Sequence, residues 1–84
     1  MNNDYRPISC DFHDLLESVA TSRQIARIRF RDADGVVRER ATSIQDVYSR
    51  AGAEYLVMGT QETVRLDQLI EVNGTQRDDA ADER

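Results

Sequence analysis

The stretch "DFHDLLESVATSRQIARIRFR", residues 11 to 31, changes its hydrophobic period part-way along. Over residues 11–22 the apolar residues fall at 12, 15, 16, 19 and 20, the i, i+3, i+4, i+7, i+8 spacing of a helix with one buried face. Over 24–31 they alternate, with Ala26, Ile28 and Phe30 on one side and Arg27, Arg29 and Arg31 on the other, which is strand spacing. The first half predicts a helix over about 11–22, N-capped by Asp11, with Asp14 adding negative charge at the positive end of the dipole. A helix this short is marginal alone and needs a surface to dock on.

Working outward, residues 1–9 read as an extended lead-in, because Pro7 biases Arg6 away from helix. "DADG" (32–35) is turn chemistry and "VVRERATS" (36–43) is the return strand. "IQDVYSRAGA" (44–53) reads as an irregular connection. Strands follow over about 54–59, 63–66 and 69–73, and Asn73-Gly74 closes a single domain over residues 1–74. The acidic tail over 75–84 reads as disordered. One helix and about five short strands make an α+β fold. Short strands leave exposed edges unless the sheet curls. The expected architecture is therefore an N-terminal helix packed on a small, strongly bent, five-stranded antiparallel β-barrel.

Composition limits the chemistry. In 84 residues, 39% are hydrophobic and 32% charged, enough for one small core. The single cysteine, Cys10, excludes an intramolecular disulfide, and with one histidine, His13, it supplies too few soft ligands for zinc. No apolar run has the length of a membrane span and no signal-peptide layout opens the chain, so a reducing cytoplasm is the expected compartment. The formal charge is −5. Residues 1–20 carry Asp4, Asp11, Asp14 and Glu17 against Arg6, a net of −3; residues 21–75 balance eight acids against eight arginines; residues 76–84 carry four acids against Arg77 and Arg84, a net of −2. That balance disfavours nucleic acid and anionic membrane and favours a basic partner. Every one of the eleven cations is arginine, so no lysine is present for amine chemistry.

Four constellations remain. Cys10 and His13, one helical turn apart, could form a nucleophile pair, but there is no second histidine and no evident oxyanion loop. Asp11, Asp14 and Glu17 lie along one helix, whereas glycosidase carboxylates face each other across a cleft. Arg27, Arg29, Arg38 and Arg40 could make a stripe for RNA, but aromatics for stacking are few and Asp32, Asp34 and Glu39 offset the charge. The hairpin register, which decides whether Arg29 meets Arg38 or Glu39, is not fixed by the sequence. Last, the three helix acids cluster opposite the apolar stripe with no cation until Arg23, either as an ordinary solvated face or as a surface for a basic partner.

The segment "YRPISCDFHDLLE" (5–17) resembles the Tyr-x-Pro-Ile-x-Cys-Asp-x-x-Asp-x-Leu-Glu opening of the Rho-binding antiterminators, the Rof or YaeO family. "YSRAGAEYL" and "VRLDQLIEV" resemble its central loop-to-strand segment and later strands, and the resemblance runs over about residues 5 to 73. Position 13, commonly aromatic in that family, is histidine here. The resemblance implies an Sm-like barrel with an N-terminal helix. It implies a cytoplasmic bacterial protein, monomeric when free, that binds the N-terminal RNA-binding region of the hexameric termination factor Rho and inhibits Rho-dependent termination. It implies no enzymatic activity, cofactor, metal or direct nucleic-acid partner. The residues placed at the partner surface are Asp14 and Glu17, then Asp11, His13 and Cys10, with Asp46, Ser49 and Arg50 as a second contact beside Gln45. The alternative is an Sm-like RNA-binding module using the four arginines.

Overall fold

The computed structural model describes residues 8–77; the lead-in over 1–7 and the tail over 78–84 lie outside them. Helix α1 (Cys10–Ser22) leads into β1 (Ala26–Arg31), β2 (Val37–Thr42), β3 (Ile44–Arg50), β4 (Ala53–Met58) and β5 (Thr63–Arg65). A 3-10 turn (Leu66–Gln68), β6 (Leu69–Val72) and β7 (Thr75–Gln76) complete the order. The fold is α+β; the described residues form one α-helix and two antiparallel sheets ordered β2-β1-β6-β7 and β3-β4-β5.

The helix is capped by Ser9, not Asp11. Ser9 is extended (φ −69°, ψ 158°), and its side chain accepts a hydrogen bond from the Phe12 N–H at 3.2 Å. Its carbonyl accepts the His13 N–H at 3.0 Å. Asp11 sits instead in the first turn, where its charge still meets the positive end of the dipole. The helix ends at Arg23, whose left-handed backbone (φ 60°) returns its N–H to the Val19 carbonyl.

Strand β1 buries Ala26, Ile28 and Phe30 and exposes its three arginines. The Asp32 carboxylate organises the turn to β2 by accepting the N–H groups of Asp34 and Val36, both at 2.9 Å. Only Ser43 separates β2 from β3, and there the chain passes from one sheet to the other. The expected irregular connection over 44–53 is therefore a strand and a tight turn. A bulge between Ile44 and Asp46 in the pairing with β4 puts the inward Ile44 and Val47 three residues apart, which erases alternation. Ala51 (φ 53°) and Gly52 (φ 84°) then form the two-residue turn that matches strand twist.

Seven strands in two sheets replace the expected five-stranded barrel, and among the described residues no ladder closes one sheet onto the other. The 3-10 turn carries the chain from β5 back to the first sheet instead of pairing β5 with β6. The tail expected from residue 75 begins with β7, which Asn73 (φ 52°) and Gly74 (φ 86°) fold back onto β6. The core lies between the sheets: Phe12 and Leu16 of α1 pack with Ile28, Phe30, Ile44, Leu56, Met58, Leu66, Leu69 and Val72. Helix α1 lies against β3. Among the described residues, no helix is long and apolar enough to cross a membrane.

Candidate functional site

Phe12 and Leu16, at 1% and 0% exposure, fix which side of α1 faces the core, and Leu15, Val19 and Ala20 extend that side. Asp11, Asp14 and Glu17 are consequently exposed, and the helix carries no lysine or arginine. Because Ser9 makes the cap, no capping bond occupies the Asp11 carboxylate. Cys10 is exposed at the start of the same helix. Among the described residues no group of three or more His, Cys, Asp or Glu side chains comes together to hold a metal.

His13 is half-buried at the margin of this face. Its Nδ1 lies 3.5 Å from Glu17 Oε2, one turn along the helix. Its Nε2 lies 3.7 Å from Glu54 Oε1 on β4. The ring thus spans from the helix to the β3–β4 hairpin, where Glu54 is paired with Ser49. Cys10 and His13 share a helix, but the imidazole is turned towards two carboxylates, and no contact joins it to the thiol.

Strand β3 exposes Gln45, Asp46, Ser49 and Arg50. Asp46 and Gln45 form one wall of an open cleft whose other wall is Glu17, Thr21 and Arg23 of the helix. The second expected contact therefore abuts the first at Glu17 and Asp46. Ser49, through its register with Glu54, lies at the His13 end. Strand alternation points Arg50 away from Ser49, and no hydrogen bond or ion pair joins it to the helix. The sequence reading missed Glu54: a single acid ahead of an apolar strand carries no local signal, and only the hairpin pairing brings it to His13.

The arginines of the RNA-binding alternative are divided between two faces. Residues directly opposed in an antiparallel pair share a face. Arg40 opposes Ile28 and Arg38 opposes Phe30, so both lie on the side of the buried β1 residues, while Arg29 opposes Glu39 on the other side. Each has a carboxylate partner: Arg27–Glu39 at 3.1 Å, Arg29–Glu71 at 3.6 Å, Arg38–Asp32 at 2.6 Å and Arg40–Glu62 at 2.8 Å. The Arg40 guanidinium also lies 5.7 Å over the Phe30 ring. Arg38 holds the Asp32 carboxyl below the usual aspartate range, helped by the Val36 N–H. Arg40 does the same for Glu62, and Glu62 in turn raises Arg40.

The sequence is 31% identical over 72 residues to Protein rof of Escherichia coli (strain K12), covering 82% of this chain and 81% of that protein. The chain belongs to the Rof family. Protein rof of Shigella flexneri matches at the same identity and coverage. No protein-family model matches the sequence, and no solved structure matches the chain. Rof-family membership agrees with the resemblance carried by residues 5–17.

Proposed function

We propose that this Rof-family chain is an inhibitor of Rho-dependent transcription termination. It acts in the bacterial cytoplasm as a binding protein, without catalysis or cofactor. It docks the exposed face of α1 on the N-terminal RNA-binding region of the Rho hexamer and thereby denies RNA its site. The observation that carries this reading is the one-sided helix: Phe12 and Leu16 are locked in the core while Asp11, Asp14 and Glu17 are held outward with no cation among them.

A groove that tracks single-stranded RNA is lined with arginine and lysine. Three carboxylates on a rigid helix are complementary to such a groove, and opposite potentials speed encounter and make it salt-sensitive. Asp14 ranks first because it sits mid-face. Glu17 follows, then Asp11, whose carboxylate Ser9 leaves available. Cys10 and His13 flank the face, and Asp46 with Ser49 continues it onto β3; Arg50, pointing away from Ser49, is an outlying contact at the hairpin end.

A competition assay tests the reading. Unlabelled protein added to Rho carrying a fluorescent single-stranded RNA is expected to displace the RNA in proportion to its own occupancy. Simultaneous, undisturbed binding of both would contradict it.

A further inference from the structure

We infer that a proton on His13 and a basic partner compete for the Glu17 carboxylate, so that the acidic face of this chain weakens as pH falls. The inference rests on the proposed helix-face binding and adds to it a control that resides in this chain's own histidine.

Both ring nitrogens are faced by carboxylates, Nδ1 by Glu17 and Nε2 by Glu54. A neutral imidazole has one N–H and can donate to only one of them, whereas an imidazolium donates from both nitrogens. Histidine is the side chain that changes charge between pH 5 and 8. At 3.5 and 3.7 Å the contacts are ionic in reach rather than close hydrogen bonds, so their strength depends on the ring's charge. The ring side chain is 28% exposed and Glu17 59% exposed, so the carboxylate can turn either to the ring or to an incoming cation. The other charged groups on the strand packed against the helix are Asp46, which makes no ion pair with the ring, and Arg50. On the helix itself, Asp14, Asp11 and Cys10 are the nearest titratable neighbours in sequence.

Protonation therefore does two things. It reduces the charge of the face by one, and it engages the carboxylate that a partner's arginine or lysine would use. An exposed ion pair is worth about 0.2–1 kcal/mol, which converts to about a 1.5- to 5-fold change in affinity.

The test compares binding to purified Rho at pH 8 and pH 6 for the wild type, His13→Gln and Glu17→Gln, each checked for folding by circular dichroism. Using the ratio of the two affinities removes Rho's own titration, which all three share. The wild type is expected to lose about 1.5- to 5-fold more affinity between pH 8 and pH 6 than either variant. Equal ratios in all three, with tight wild-type binding at pH 8, would overturn the inference and leave the helix-face reading standing. Absence of wild-type binding at pH 8 would overturn both.

Discussion

Arg29 lies directly opposite Glu39 across the β1–β2 ladder, and Glu71 reaches the same guanidinium from β6 at 3.6 Å. One acid therefore flanks this arginine from each neighbouring strand, on the sheet face that Arg38 and Arg40 do not share. Phosphate binding requires cations gathered along one track. The wild-type chain is accordingly expected to give no shift of unstructured RNA in a gel assay at low salt and micromolar protein. A clear shift that Arg38→Ala and Arg40→Ala abolish would restore the RNA-binding alternative.

Leu16 anchors the helix, with no exposed surface. Leu16→Ala should cost about 2–5 kcal/mol in urea unfolding, through lost burial and the cavity left behind. Leu16→Met, close in volume, should cost less than about 1.5 kcal/mol. If the core sets the direction of the acids, Leu16→Ala also weakens Rho binding under conditions where the variant is still folded, although no acid has changed.

Gly59 closes the join between the sheets. Its N–H donates to the Ser43 carbonyl at 2.8 Å, and a Cβ there would meet Thr42 Oγ1 at 2.7 Å and Ser43 Oγ at 2.9 Å. Thr42 is buried and cannot swing freely into solvent. Gly59→Ala is expected to destabilise by about 1–3 kcal/mol, the usual cost of overpacking. The cost should shrink in a Thr42→Ala background, and a double-mutant cycle by thermal unfolding measures that coupling.

Asp32 and Glu62 have carboxyls held below their ordinary 3.8 and 4.5 by Arg38 and Arg40. A carboxylate lowered in the folded state contributes its stability above the unfolded value, and that contribution is lost as pH falls through the folded one. Stability should therefore be flat in this respect above about pH 5 and decline below pH 4. Asp32→Asn and Glu62→Gln should each make the acid limb of a Tm-against-pH curve shallower, while lowering Tm at neutral pH.

Several of these features could be read from sequence, for definable reasons. The helix and β1 each follow one local period, with Phe12, Leu16, Ile28 and Phe30 where that period places them. Strand β3 was hidden because the bulge at Gln45 breaks the phase between Ile44 and Val47. Sequence alone favours Asp11 as the cap although both Ser9 and Asp11 have suitable side chains, and it is the backbone geometry that selects Ser9. Strand β7 depends on two positive-φ residues, Asn73 and Gly74, acting as a hairpin turn rather than a stop. Barrel closure is a global property that short alternating segments do not encode. The same holds for the partners of Arg29 and His13: Glu71 and Glu54 are remote in sequence and arrive only through strand pairing.

The most direct measurement is the affinity of Asp14→Lys and Glu17→Lys for purified Rho, with circular dichroism confirming the fold of each. Both positions are exposed, so substitution leaves the core intact. Removing one partner of a desolvated charge pair costs about 2–5 kcal/mol, against about 0–1 at a solvated rim. The account predicts at least a tenfold loss for Asp14→Lys and a smaller loss for Glu17→Lys, both reduced at high salt. Wild-type affinity in both variants would contradict it.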